Sequence, residues 1–314
     1  MLQFDILVLL ISLFFIGLVS NKFVTYVSEI ADIFGLSQMA AGFILLSLST
    51  SLPELLVSVI ASLIGEGGLS FGNVLGSNIA NLTIIMGLAI IFSRTIVSIN
   101  EDSQKEIIQF LFLSTIIPLF VIQIGNLSIA LSIVLLILFV YFCFIVSKKA
   151  SKTTVLKSSN YKSKLSLGIK FVISLALLVV ISKYIVDSSI NIASFFDIPP
   201  SIIGATIIGF GTSLPELTTT IQAFRKGLYD MGLGNLIGSC ITNLTLVLGA
   251  ASVVSFSTVN VIAAGSIMFF ALLSTITMWY IVTMKKSIGR YTALTLSIIY
   301  LLFILQQLGF SIII

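Results

Sequence analysis

Apolar residues in this chain come in runs of about 20, the length a helix needs to cross a bilayer, separated by short polar stretches. Ten such runs are visible, at 4–21, 36–64, 71–93, 106–124, 127–147, 165–186, 200–224, 231–255, 259–284 and 291–312. Two of them are interrupted near their middle. Ser49–Glu54 reads STSLPE and Gly211–Glu216 reads GTSLPE, each placing a proline, hydroxyls and an acid where hydrocarbon is expected. The pattern predicts an all-α polytopic membrane protein of ten transmembrane helices, with the second and seventh broken at Pro53 and Pro215.

Composition strengthens this reading. Of 314 residues, 58% are hydrophobic and 9% charged, against roughly a quarter charged in soluble domains. The first run is not read as a signal peptide: it lacks a basic start and a small-residue cleavage site, and it carries Asp5.

The net charge of +4 matters less than its placement. Lys148, Lys149, Lys152, Lys157, Lys162 and Lys164 cluster between the fifth and sixth runs. Lys22, Arg94, Lys105, Arg225, Lys226, Lys285, Lys286 and Arg290 fall in alternate loops on that same side, and Lys183 is the exception. Positive loops stay cytoplasmic, so both termini are predicted extracellular and the basic stretch 148–164 cytoplasmic. This distribution accounts for the charge without nucleic acid.

Residues 42–87 align with 204–249 without a gap, at a constant offset of 162 (54 to 216, 77 to 239, 81 to 243). Gly72–Thr83, GNVLGSNIANLT, answers Gly234–Thr245, GNLIGSCITNLT. The matches are Gly, Pro, Ser, Asn, Thr and Glu, which helix composition alone does not explain. Each half, 1–147 and 165–314, holds five runs. An odd number makes the second half enter from the opposite face, an inverted repeat of the kind that places a transport site near the midplane.

Proline has no N–H and its ring clashes with the carbonyl four residues earlier. Carbonyls around 47–50 and 209–212 are therefore expected to leave the helix ladder and to need another partner in lipid. Helical spacing adds side chains: Thr50 and Glu54 share a face, as do Ser47 and Ser51, and Asn73, Ser77 and Asn81 follow at steps of four. Thr212, Glu216, Asn235, Ser239 and Asn243 repeat the set. Asn73 and Asn235 are expected to bridge backbone. Oxygen donors without soft ones suit hard cations, and an acid at mid-membrane is costly enough to mark function.

Other chemistry has less support. There is no histidine, and no Walker-type loop or nucleophile–base pairing is present, so neither an enzyme nor an ATP-driven pump is indicated. Cys143 and Cys240 lie within spans and read as buried thiols. Glu101, Asp102 and Glu106 read as solvated loop charge.

The motif GTSLPE followed by GN-x-x-GS-x-x-x-N, present in both halves, resembles the α-repeats of the cation/calcium exchanger superfamily, specifically its sodium/calcium exchanger branch. The resemblance implies an antiporter exchanging Na⁺ for Ca²⁺ by alternating access, commonly three Na⁺ per Ca²⁺, with no covalent cofactor and a monomer sufficient for transport. It implies Glu54 and Glu216 as principal Ca²⁺ ligands, with backbone oxygens at Thr50 and Thr212. One Na⁺ site would be formed by Ser51, Ser77 and the Ser47 carbonyl. Its mirror would be Ser213, Ser239 and the Gly209 carbonyl, with Asn81 and Asn243 lining the centre.

Three departures stand out: Ser49 where the motif usually has Gly, Asn243 where many relatives have Asp, and Cys240 opposite Asn78. The amide at Asn243 argues against K⁺ co-transport and a third protonatable acid. The change at Cys240 is expected to matter little. H⁺/Ca²⁺ exchange through the same two glutamates remains the alternative, with a passive channel and a non-transporting scaffold as readings of other classes.

Overall fold

In the computed structural model, residues 2–33, 47–93, 97–98, 101–124, 129–150, 161–254, 261–285 and 287–309 are described. The described chain is helical but for one two-residue antiparallel ribbon, in which Val97 pairs with Ile288 and Ser98 with Ser287. Among the described residues five helices are long and apolar enough by themselves to cross a membrane, and Leu52–Leu63, 107–119 and 129–145 are shorter apolar helical stretches. The start of the second predicted span (36–46) and most of the basic linker (151–160) lie outside the described residues.

Several boundaries differ from the sequence reading. The first and sixth runs extend into helices Leu2–Ile33 and Tyr161–Phe196, well beyond their apolar stretches. These two pack along each other over an apolar seam of Leu9, Leu13, Ile16, Phe23, Leu178 and Ile185. The helix predicted from 106 begins at Glu101, so Glu101, Asp102 and Glu106 belong to its first two turns rather than to a loop.

The helices that carry the motif pack across the halves. Gly67–Ala80 lies against the segment 200–212, and Tyr229–Thr242 lies against Ser47–Thr50. Glycine makes the first approach possible. A Cβ at Gly72 would overlap the Ser201 carbonyl, and one at Gly76 the Ala205 carbonyl. Continuations of these helices interleave in the same sense, Met86–Ser93 against Leu214–Arg225 and Leu248–Val254 against Leu52–Leu63.

Both broken helices end in the same local turn. Gly65 and Gly227 adopt φ of +86° and +74°, a conformation open to glycine and costly for L side chains. Behind them the Glu66 N–H bonds the Ala61 carbonyl and the Leu228 N–H the Ala223 carbonyl, each at 2.9 Å. These are Schellman closures that use otherwise unpaired helix-end carbonyls.

Candidate functional site

The breaks fall at serine, two residues before the prolines where they were expected. Ser51 has φ −83° and ψ 6°, and Ser213 has φ −84° and ψ 8°, while Pro53 and Pro215 sit in the first turn of the next helices, Leu52–Leu63 and Leu214–Arg225. Proline tolerates that position because the first helical N–H groups have no intrahelical acceptor. The chain therefore bends just before proline. Glu54 and Glu216 land in the same first turn, where the positive end of the helix dipole favours a carboxylate.

Both glutamates are completely buried. Each receives a hydroxyl from the opposite half: Ser213 Oγ donates to Glu54 Oε1 at 3.0 Å, and Ser51 Oγ to Glu216 Oε1 at 3.5 Å. A second layer repeats the exchange. Thr50 Oγ1 lies 3.1 Å from Ser239 Oγ and 3.4 Å from Asn235 Oδ1. Thr212 Oγ1 lies 3.4 Å from Ser77 Oγ and 3.3 Å from Asn73 Oδ1.

These contacts regroup the serines. Ser77 donates to the Gly209 carbonyl at 3.1 Å and so joins Thr212 on the side of Ser213 and Glu54. Ser239 joins Thr50 on the side of Ser51 and Glu216. The mirror sets expected from the resemblance had Ser77 and Ser239 the other way round. The halves interdigitate, so a serine on one half's third helix faces the other half's break.

Of the carbonyls expected to leave the helix ladder, that of Ser47 stays in it. Ser47 C=O accepts the Ser51 N–H at 3.0 Å and lies 3.3 Å from Thr50 Oγ1, and Gly209 C=O accepts Ser77 Oγ. Pro53 withdraws its donor from Ser49, not from Ser47. Neither named carbonyl is a bare acceptor in this arrangement.

What stands bare is a group of side-chain atoms. Glu54 Oε2, Glu216 Oε2, both amide atoms of Asn81 and Asn243 Oδ1 are buried without a hydrogen-bond partner. Leaving a buried polar atom unpaired costs about 1–3 kcal/mol, and more for a charged group. Four of these five atoms are oxygens, two of them on carboxylates. Among the described residues no cluster of three or more Cys, His, Asp or Glu side chains occurs, so any bound cation would rely on two carboxylates supplemented by neutral oxygens. That donor set fits a hard cation. Asn81 and Asn243 each open a π-helical turn, Asn81–Ile85 and Asn243–Val247, an irregularity frequent at functional sites.

The sequence profile of the sodium/calcium exchanger protein family matches residues 4–148 and 167–309. The chain belongs to the sodium/calcium exchanger family. It is 31% identical over 290 residues to the sodium/calcium exchanger MaX1 of Methanosarcina acetivorans, covering 79% of this chain and 83% of that one. An uncharacterized membrane protein of Methanocaldococcus jannaschii, MJ0091, is 32% identical over 302 residues, 94% of this chain and 97% of its own. The inner membrane protein YrbG of Escherichia coli is 31% identical over 258 residues, 79% of each. The sodium-calcium exchanger NCX_Mj, solved after soaking with 10 mM Na⁺ and zero Ca²⁺, superposes with a TM-score of 0.67 at 28% identity, over 96% of this chain and 98% of that one. This family member is thus a multi-pass membrane transporter and not an enzyme.

The candidate site also has support that its motif did not announce. Asn73 Nδ2 donates to Ser58 Oγ at 2.9 Å and to the Glu54 carbonyl at 3.2 Å, bridging backbone as expected. Asn235 Nδ2 donates to Thr219 Oγ1 at 2.9 Å and Thr220 Oγ1 at 3.3 Å. Ser58 and Thr220 lie four residues after the glutamates, so extending the polar stripe by one turn would have found them.

Proposed function

We propose that this exchanger moves Ca²⁺ against Na⁺ by alternating access, with Glu54 and Glu216 as the shared ligands. The observation that carries the reading is the pair of fully buried carboxylates, each with one oxygen held by a serine of the opposite half and one oxygen bare. Ser51, Thr50 and Ser239 flank Glu216, and Ser213, Thr212, Ser77 and the Gly209 carbonyl flank Glu54. Two compact sets of this kind suit Na⁺ coordination, and the bare glutamate oxygens with Asn81 and Asn243 suit Ca²⁺. The Ser47 carbonyl, beside Thr50, completes the set on the Glu216 side.

Two carboxylates carry two negative charges, which one Ca²⁺ balances. Holding three Na⁺ and one Ca²⁺ together would leave a large excess of positive charge in a low-dielectric site, so the ions compete. Three Na⁺ leave one positive charge and one Ca²⁺ leaves none, so exchange at that ratio is electrogenic.

The proposed topology is ten spans in two inverted five-helix halves, 1–147 and 165–314, with both termini outside and the 148–164 linker cytoplasmic. Two contacts support it. The ribbon joins 97–98 to 287–288, from two loops that the charge pattern puts on the cytoplasmic side. Near the other face, Asp5 accepts a hydrogen bond from Asn191 at 2.9 Å, uniting two segments assigned to the outside.

Purified protein in liposomes loaded with Na⁺ should accumulate radioactive Ca²⁺ when diluted into Na⁺-free medium, and a pH gradient alone should not drive uptake. Uptake driven by pH and indifferent to Na⁺ would replace this reading with H⁺/Ca²⁺ exchange.

A further inference from the structure

The two halves differ where their third helices cross. Asn78 and Cys240 are repeat mates, and they meet each other: Asn78 Nδ2 donates to the Cys240 carbonyl at 3.0 Å, while Cys240 Sγ lies 3.9 Å from the Asn78 carbonyl. A backbone carbonyl only accepts, so the amide face that Asn78 turns to Cys240 must be its nitrogen. Its Oδ1 then points the other way, to Asn243 Nδ2 at 3.1 Å. An amide oxygen only accepts, so Asn243 must present its nitrogen there and turn its Oδ1 away. That oxygen is buried and has no protein partner.

We infer that Asn78 is a positioning residue that locks the Asn243 amide with its oxygen available to a cation. The lock is one-sided. The residue that would do the same for Asn81 is Cys240, whose thiol is a weak donor and weak acceptor. Both atoms of the Asn81 amide are left without a hydrogen-bond partner. The site thus has one preset amide oxygen, from the second half, and one amide, Asn81, that faces only the weaker Cys240 thiol. The substitution at 240, expected from the sequence to matter little, creates this asymmetry.

A preset ligand lowers the cost of binding, and residues that orient metal ligands are worth roughly ten- to a hundredfold in affinity. This inference rests on the proposed exchange reaction and deepens it. The test uses the full chain in liposomes, with Asn78→Ala, Asn243→Ala and the double variant. Asn78→Ala should raise the Ca²⁺ half-saturation concentration by about tenfold or more, with a smaller change in maximal rate. In the Asn243→Ala background the same change should have no further effect on half-saturation, because Asn78 acts through Asn243. Asn78→Ser, too short to bridge, replaces the alanine variant if that one is not recovered, with the same expectation.

A purely structural role would instead lower thermal stability without ions and reduce the maximal rate equally in both backgrounds, which overturns the inference. Wild-type exchange with Asn78→Ala and Asn78→Ser unaltered in Ca²⁺ half-saturation overturns it as well and leaves the exchange reading intact. A wild-type protein that neither exchanges nor gains thermal stability from Ca²⁺ or Na⁺ overturns the exchange reading, and the positioning role with it.

Discussion

The breaks of the two halves are near copies, yet the amides about four turns along the next helices are not. Ser51 and Ser213 agree within a few degrees in φ and ψ, and each donates to the other half's glutamate. At the crossing of the third helices, Asn243 is held by Asn78 while Asn81 is bare. The backbone repeats because proline and glycine impose local geometry wherever they stand. The crossing does not repeat in the same way, because the mates that meet there, Asn78 and Cys240, differ in side chain.

The largest effect should come from the symmetric part. Glu54→Gln and Glu216→Gln should each abolish Ca²⁺ transport while the protein still folds, because each removes half of the charge that balances the ion. Ca²⁺ uptake by purified variants in liposomes is the measurement, and near-normal uptake by either one would break the equivalence of the halves at this layer.

Packing comes next. Gly76→Val would drive a side chain into the Ala205 carbonyl, and Gly72→Val into the Ser201 carbonyl. Overpacking of this kind costs about 1–3 kcal/mol or more, so reduced yield and a lower melting temperature are expected. Matching losses for Gly234→Val and Gly238→Val would extend the symmetry to the mirror interface, and tolerance there would limit it.

A smaller effect should separate the two serines. Ser213→Ala removes a 3.0 Å bond to Glu54 and Ser51→Ala a 3.5 Å bond to Glu216. Hydrogen bonds to charged groups are worth about 1.5–3 kcal/mol, so each should weaken Na⁺ dependence about tenfold or more, with Ser213→Ala the more severe. Na⁺ titration of Ca²⁺ uptake tests this, and the reverse order would show that the shorter bond is not the stronger one in the ion-bound form.

The subtlest change concerns Asn243. At alkaline pH, where a new acid is ionised, Asn243→Asp gives the site three negative charges. Three Na⁺ then leave it neutral and one Ca²⁺ leaves it negative. Charge moved per cycle should stay the same, but voltage dependence should shift from the Na⁺-carrying limb to the Ca²⁺-carrying limb. Currents recorded under Na⁺-only and Ca²⁺-only exchange across pH would reveal the shift, and an unchanged voltage profile would contradict the charge accounting.

Much of the site is legible in the sequence because it is written twice. The offset of 162 pairs Glu54 with Glu216, Ser77 with Ser239 and Asn81 with Asn243. Proline within an apolar run marks a break to within two residues. The partners of Ser77 and Ser239 were not legible, since a repeat says which residues correspond and not which ones touch. Engagement of the Ser47 and Gly209 carbonyls escaped for a related reason: the proline rule tells which donor is lost, while tertiary neighbours decide which donor replaces it.

Membrane residence, the duplicated motif and the identity of the two central acids follow from the chain alone, because apolar run length, proline geometry and the cost of a buried charge are local properties. Which half's serine serves which glutamate was decided only when the halves interleaved through the glycine contacts at Gly72 and Gly76. The orientation of Asn243 was likewise decided there, because an amide takes its direction from the carbonyl it meets, and Cys240 is 162 positions from Asn78.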